Sequence, residues 1–467
     1  MNHPASRPPN RPLTLAGSVA GAVVVALDGT ILTIAQPTLQ RDLGASFAQV
    51  QWTTTGYLIA VAALLVLAGR LGDRYGHRRL FGLGMIGFGA TSAGIALAPG
   101  IGWVIALRVA QGVFGALLQP ATLGMLRAAY PPDRLPAPLA VRTAAIGVAA
   151  AAGPVLGGAL VTELGWRSVF LPHVVPALLL GLLALAARTS GPPRTAVRLD
   201  LPGALLLALA LAALVHALAA LAESAGAGPA VPGLAVAAVT GVAFVRHERR
   251  AASPLLPAAV VGPAAIRSAL GLLVTASAAL HGALFSCVYL LQDTFGLDPL
   301  RSALRSLPLA VLMIAAAPVC AVLLRRAGAR RTTTAAALVL AAGIVVLYAA
   351  SGTLTLCAGF ALVGAGFGTV MVAATHVVVR HAPVESAGVA GGLQQTALNI
   401  GPVLGVAAAT LLVELGSPRT PLPALAAVAA LGAALGGALP GKAGVKEAEA
   451  PAGAHVRTGS DPRPARR

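Results

Sequence analysis

The sequence predicts an all-α, polytopic membrane protein of fourteen transmembrane helices, built as two pseudo-symmetric six-helix bundles with two helices inserted between them. Three observations carry that expectation. Apolar residues make up 57% of the 467 positions and charged residues only 10%, whereas soluble domains carry roughly 25% charged residues; mean hydropathy is +0.83. Apolar runs of about 20 residues, long enough to cross a bilayer as a helix, recur along the chain. Two motifs also recur at nearly the same offset.

The runs span 13–36, 50–69, 79–98, 102–126, 138–162, 168–187, 201–222, 231–246, 266–291, 303–324, 332–350, 354–379, 386–412 and 421–439. Each is read as a helix because hydrocarbon offers no partner to a backbone N–H or C=O, and a helix satisfies these groups within itself. The first run is the expected insertion signal, since no small-residue cleavage site follows a short apolar core. The eighth is the weakest, being short and carrying Pro232 near its start. Its failure to span would invert every later loop.

Charge argues against that failure. With a cytoplasmic N-terminus, 26 of the 33 Lys and Arg fall in cytoplasmic segments; Arg41, Arg167, Arg301, Arg305 and Arg419 lie outside, and Arg108 and Arg142 lie within helices. The positive-inside rule selects this orientation, with both termini cytoplasmic. It also accounts for the net charge of +18 without a nucleic-acid partner. Trp52, Trp103 and Trp166 then fall at outer helix ends, where an aromatic belt is expected. Cys287, Cys320 and Cys357 lie in predicted spans at no metal-ligand spacing, so packing is expected of them and neither a metal site nor a disulfide framework.

Gly-Pro-Val-Leu-Gly occurs at 153–157 and again at 401–405, an offset of 248, and Arg74-Tyr75-Gly76-His77-Arg78-Arg79 matches Arg326-Ala327-Gly328-Ala329-Arg330-Arg331 at an offset of 252. The repeat divides the chain into a cytoplasmic N-terminus (1–12), an N-terminal six-helix bundle (13–187), a linker with the inserted helices 7 and 8 (188–265), a C-terminal six-helix bundle (266–439) and a cytoplasmic tail (440–467). The tail's Ala, Pro, Gly and mixed charge predict disorder. Parallel repeats about an axis along the membrane normal are a transporter architecture, with the substrate site at the midplane between halves.

Asp28 is the single acidic residue inside the long apolar runs. A carboxylate in hydrocarbon is costly unless paired, protonated or wetted, so Asp28 is the first candidate for proton titration or cation sensing. Arg108 lies about as far below the outer surface as Asp28, on the order of 10 Å at 1.5 Å per residue. The two are expected to pair or to share a wet cavity.

Gly69-Arg70-Leu71-Gly72-Asp73-Arg74-Tyr75-Gly76-His77-Arg78-Arg79 joins the second and third helices on the cytoplasmic side. It resembles the 2–3 loop of the major facilitator superfamily, G-x-L-a-D-r-x-G-r-k. The resemblance implies that Asp73 and Arg74, within the frame of Gly69, Gly76 and Arg78, form a charge network with neighbouring helix ends that steadies one access state. Arg108-Val109-Ala110-Gln111-Gly112 is similar to that superfamily's R-x-x-Q-G in its fourth helix, which adds Gln111 to the candidates. Gly147 with Gly153, Pro154, Gly157 and Gly158 resembles the g-x-x-x-G-P-x-x-G-G motif of its exporters. Leu27-Asp28-Gly29-Thr30-Ile31 through Pro37, Gln51-Trp52 with Tyr57, and Trp166-Arg167-Ser168-Val169-Phe170-Leu171 resemble the fourteen-spanner drug:proton antiporters. Two departures are Thr33, where that family usually has Asn, and Pro172-His173, where it usually has Ile-Asn.

The resemblance implies proton-coupled efflux of small amphipathic drugs or antibiotics by alternating access, from a multi-pass protein of a bacterial cell membrane. Expected partners are the small-molecule substrate, protons and the lipid bilayer, with a monomer as the expected state and no cofactor. A nutrient symporter is the alternative within transport, disfavoured by the helix-5 motif. A non-transporting sensor would usually carry a folded soluble domain, for which the loops are too short.

An enzyme is not expected. Gly82-Leu83-Gly84-Met85-Ile86-Gly87 matches a dinucleotide fingerprint but lies inside a span, and the Gly436 to Lys442 stretch lacks the Ser or Thr and the preceding strand of a P-loop. His216, His281 and His376 have no catalytic spacing. His281 is kept as a candidate because the repeat places it near the counterpart of Asp28. Gln394, Gln395 and Asn399 are the polar candidates of the second half.

Overall fold

The computed structural model describes residues 11–131, 134, 136–186, 200–223, 228, 230–252, 254–255, 262–381 and 387–439, and every regular element among them is a helix. In order these are α1 (Arg11–Leu43), α2 (Phe47–Tyr75), α3 (His77–Ala96), α4 (Ile101–Ala129), α5 (Pro136–Leu164), a 3-10 turn (Trp166–Phe170), α6 (Leu171–Ala186), α7 (Leu201–Glu223) and α8 (Ala230–Glu248). There follow α9 (Ala264–Tyr289), a π turn (Leu290–Thr294), α10 (Pro299–Tyr348), α11 (Thr353–His381), α12 (Ala387–Glu414) and α13 (Pro421–Gly437). Eleven helical stretches among the described residues are long and apolar enough to cross a membrane. The tail expected to be disordered lies outside the described residues.

Local chemistry explains the helix starts. Ser46 caps α2 in a reciprocal box with Gln49, and Asp298 caps α10 by accepting from the Arg301 N–H at 2.8 Å. The turns between α2 and α3 and within α10 rest on Gly76 and Gly328, whose φ values of 96° and 79° an L side chain rarely adopts. Gly328 thereby breaks α10 into two helical arms.

The first six helices pack through α1 on α5, α2 on α4, and α3 on α4 and α6. The later ones repeat that scheme: α9 packs on α12, α10 on α11 and α13. Glycines set the closest approaches. A Cβ at Gly153 or Gly157 would run into Thr30 and Ile31 of α1, and one at Gly401 or Gly405 into Ser277 and Ala278 of α9. Small residues here let helix backbones touch, which supplies the dispersion contact that holds helices together where no hydrophobic effect operates.

The two groups meet along α2 on α12 and α5 on α10. Near the 1–2 and 9–10 turns they are tied by Gln292 Nε2, which donates to the Ile34 carbonyl at 3.1 Å, and by the Phe47 and Tyr289 rings at 4.8 Å. α7 packs on α8 and lies against both α2 and α12, where Leu211 and Val215 join Ile59, Val403 and Ala407 in one apolar cluster. Trp166 departs from the expected belt: it is 1% exposed, T-stacked on Phe170 and covered by Arg167. The short turn before α6 folds it inward, while Trp103 stays 63% exposed.

Gly405→Ala is expected to lower the melting temperature in detergent, because its Cβ meets backbone and overpacking costs about 1–3 kcal/mol. Gly241→Ala in α8, with nothing within 4 Å, should instead hold or raise it, by about 0.5–1 kcal/mol of helix propensity. Intrinsic-fluorescence melts of both variants check this; equal melting of Gly405→Ala and wild type would remove the close-approach account.

Candidate functional site

Arg108 and Gln111 stand three residues apart on α4, so they share one face, and the packing of α1, α2 and α3 around α4 brings Asp28, Tyr57 and Ser92 to it. The pair at its centre is dry: Arg108 is 1% and Asp28 2% exposed. Arg108 Nη1 donates to Asp28 Oδ2 at 2.7 Å and to Gln111 Oε1 at 2.5 Å, and its Nε donates to the Thr53 carbonyl at 2.8 Å. Gln111 Nε2 donates to Ser92 Oγ at 2.8 Å and reaches Asp28 Oδ1 at 3.4 Å. The Arg108 guanidinium also lies 4.5 Å from the Tyr57 ring centroid. Gly112 explains how this fits together: a Cβ there would press on the Tyr57 carbonyl, so only glycine lets α4 come near enough to α2 for Arg108 to reach Thr53.

His173 of α6 completes the surroundings. It is 2% exposed, edge-on to Phe88 at 6.2 Å, and lies near the Phe170 backbone of the preceding turn. Sequence reasoning noted His173 only as a departure and missed Thr53 and Ser92 altogether. Thr53 contributes a carbonyl, which every residue has, and Ser92 reads as one of many helix hydroxyls.

Among the described residues, the second half shows no such network. Positions 252 residues after Asp28, Arg108 and Gln111 are Leu280, Phe360 and Val363, all buried and apolar. His281 Nδ1 bonds the Ser277 carbonyl of its own helix at 2.9 Å, and Asn399 Nδ2 the Gln395 carbonyl at 2.8 Å. Neither joins the Asp28 cluster. Gln394 Nε2 donates to Thr375 Oγ1 at 2.6 Å. Arg142 Nη2 reaches Thr122 Oγ1 at 3.0 Å, bridging α5 to α4.

In the 2–3 loop the candidate residues take separate partners. Asp73 bonds His77 at 3.1 Å, while Arg74 lies over the Tyr75 ring at 5.2 Å. The reason is helical geometry: adjacent residues point about 100° apart, so Asp73 and Arg74 cannot face each other, whereas a residue four positions on can. The His77 ring is lodged where a Cβ on Gly72 or Gly124 would stand. Burial holds its pKa below the ordinary 6.5, an effect that Asp73 opposes and Arg127 reinforces. Arg78 Nε donates to the Ala184 carbonyl at 3.2 Å and so caps α6, and Gly69 faces Pro120 of α4. In the helix-5 motif, Gly153 and Gly157 seat α5 on α1 just past Asp28, and Gly158 abuts Pro299 and Leu300 of α10. An open, wholly apolar groove of about 430 Å³ runs between α5 and α10, lined by Val148, Ala151, Ala152, Val155, Leu156, Leu307 and Ile314.

The sequence model of the Major Facilitator Superfamily matches residues 19–406 and 310–460. The chain belongs to the major facilitator superfamily. It is 40% identical over 413 residues to the tetracenomycin C resistance and export protein of Streptomyces glaucescens, covering 86% of this chain and 76% of that one. A puromycin resistance protein of Streptomyces alboniger is 36% identical (83% and 79% covered), and a multidrug efflux pump of Mycolicibacterium smegmatis 30% (86% and 81%). Among solved structures, the POT family transporter PepTSo superposes with a TM-score of 0.67 at 15% identity, covering 92% of this chain and 97% of that one, which shows the fold alone. This superfamily member is thus a multi-pass, all-helical membrane transporter.

Arg108→Met should destabilise the protein strongly, since an uncompensated buried charge costs about 3–5 kcal/mol, whereas Asp28→Leu combined with Arg108→Met should recover much of the loss. Thermal unfolding of the three proteins decides; a double variant worse than the single would contradict the pairing energetics. His77 gives a pH dependence. Its folded pKa lies below the unfolded 6.5, so the loop is unpenalised above that value and loosens as pH falls through the folded pKa. Protection factors of the amides across residues 70–80, measured exchange divided out by the intrinsic rate at each pH, should fall on acidification below pH 6.5 in wild type and stay flat in His77→Gln.

Proposed function

We propose that the chain exports small amphipathic drugs or antibiotics from a bacterial cytoplasm in exchange for external protons, by alternating access. The observation that carries this reading is Asp28, one carboxylate buried against a guanidinium that cannot lose its own proton. Protonating Asp28 removes its charge, frees Arg108 to lean on Gln111 and the Thr53 carbonyl, and changes the pairing among α1, α4 and α2 in one step. A group whose ionisation rearranges helix contacts can link a proton to a change of access. The relatives named for tetracenomycin C and puromycin resistance support drugs as cargo, the apolar groove beside α5 suits such cargo, and the glycine–proline motif seated on α1 supports the direction of export.

The same reading takes fourteen spans. α3 and α13 add two to the eleven, and the break at Gly328 divides α10 in two. Residues 13–187 and 266–439 act as the two rocking bundles, with 188–265 supplying the inserted pair. Support comes from recurrence at an offset of 252: Gly44 with Gly296 and Gly76 with Gly328 at positive φ, and Ser46 with Asp298 as caps. The charge distribution favours cytoplasmic termini, and the ties of Gln292, Phe47 and Tyr289 would then close the external side. Residues 73–78 would bias access from the cytoplasmic face without touching drug. Nothing in this scheme requires more than a monomer or any cofactor.

Asp28→Asn, which keeps an oxygen acceptor for Arg108 but leaves its charge uncompensated, should lower the melting temperature, and the folded protein that remains should lose proton-driven exchange by at least tenfold. Everted vesicles given tetracenomycin C or puromycin under an imposed proton gradient measure it. Wild-type exchange in the variant would sink the role of Asp28.

A further inference from the structure

Two arginines stand within the apolar runs away from their ends; Arg108 is neutralised by Asp28, and Arg142 is not. Arg142 is six residues into α5, Thr122 seven before the end of α4 and Ser18 seven into α1. These three helix ends lie on one side of the bundle, since Arg11 Nε donates to the Ala129 carbonyl at 3.2 Å. The three residues therefore share one level, ten residues along α1 from Asp28, or on the order of 15 Å. Arg142 Nη2 donates to Thr122 Oγ1 at 3.0 Å, the Thr122 hydroxyl donates to the Gln119 carbonyl at 2.9 Å, and Ser18 Oγ donates to the Thr122 carbonyl at 2.9 Å. Thr122 and Ser18 are fully buried, and Arg142 is half-buried.

The direction of Arg142 follows from helix period. It precedes Gly153 by 11 residues, close to three turns, so it shares the side of α5 that seats on Thr30 of α1. The apolar groove is on the opposite side of α5, where Ala151 lies two and a half turns on. An arginine on an outward face could carry its charge to a lipid headgroup by snorkelling, whereas this one is aimed at α1 and α4. Its Nε is buried and has no hydrogen-bond partner among the described residues, and no ion pair there engages it. The single carboxylate of the apolar runs, Asp28, is taken by Arg108. A guanidinium cannot shed its proton to escape the cost of burial, so this positive charge stays uncompensated until an anion arrives.

We propose that Arg142 is an anion-recognition residue of the export site, binding a carboxylate, phenolate or sulfonate on an otherwise apolar cargo and so setting a preference for anionic over cationic amphipaths. This rests on the drug-export reading above and is independent of the proton coupling. The free Nε–H and the planar fork of the guanidinium suit two-point pairing with an oxyanion, and Thr122 fixes the fork's bearing through Nη2. In the orientation favoured by loop charge, this level lies on the cytoplasmic side of Asp28. Cargo entering from the cytoplasm meets Arg142 first, so the recognition charge and the titrating pair are separate.

Binding to the purified full chain in nanodiscs and uptake by everted vesicles test this with two xanthene dyes of similar size. Fluorescein is an anion at mildly alkaline pH, and tetramethylrhodamine methyl ester is a permanent cation. Wild type should bind fluorescein at least tenfold more tightly than the rhodamine and take it up faster with the membrane potential clamped. Arg142→Gln should weaken fluorescein binding by at least tenfold and leave that of the rhodamine within about twofold, while Arg142→Lys, which keeps the charge, should keep most of the preference. Wild type binding both dyes equally, binding neither or preferring the cation would overturn the assignment, as would unchanged fluorescein binding in folded Arg142→Gln. A parallel loss of both dyes marks a packing role and overturns it too. Fluorescein binding that is present in phosphatidylcholine discs and abolished by phosphatidylglycerol would give the charge to a lipid headgroup instead of cargo. Vesicles that take up neither dye, nor puromycin, nor tetracenomycin C would count against export itself; uptake without regard to charge would count against Arg142 alone.

Discussion

The ion pair between Asp28 and Arg108 is the constraint around which the first half of this transporter is arranged. Two charges removed from water cost several kcal/mol each unless the geometry is excellent and the remaining hydrogen-bonding positions are filled. Here they are filled: Thr53 and Gln111 take two donors of the guanidinium, Ser92 holds Gln111, and Tyr57 covers the guanidinium plane. The partners are spread over α1, α2, α3 and α4 itself, so the pair also fixes how those four helices stand to one another. The glycines at 112, 153 and 157 are the steric counterpart of that electrostatics, because without them the helices could not close to hydrogen-bonding range.

The second half keeps the steric pattern and drops the charges. Gly364 presses on the Leu309 carbonyl as Gly112 presses on that of Tyr57, and Gly401 and Gly405 meet α9 as Gly153 and Gly157 meet α1. Leu280, Phe360 and Val363 occupy the polar positions. Packing and chemistry are therefore separable: close approach is what a repeat must preserve to fold, while a buried ion pair is needed only where something must ionise. Cys287 and Cys320, both free and buried, belong to the packing side of that division.

Most of the fold was legible in sequence because hydropathy, loop charge and glycine position each answer to one strong physical requirement of the bilayer. Helix ends were less so: α1 runs from Arg11 to Leu43, beyond the apolar run of 13–36, since helices continue past hydrocarbon where nothing stops them. The central pair was legible for the same reason that it is costly, as Asp28 and Arg108 had no other reason to be there. What sequence could not supply was direction. Arg74 turned to Tyr75 and His77 took its place beside Asp73; Trp166 folded inward; His281 and Asn399 bonded backward into their own helices. Side-chain bearing depends on which neighbour is nearest in space, and spacing along one helix constrains that only within a turn.

The position of α7 gives the molecule two unlike flanks. Its Leu211 and Val215 roof the junction of α2 with α12, while the junction of α5 with α10 is bordered by the open groove that Val155 and Ile314 help to line. One flank of the seam between the two groups is roofed by a helix, and the other is bordered by an apolar groove. α7 thereby gives the fold a sidedness in the plane of the bilayer, separate from the inside–outside polarity that a pump must have.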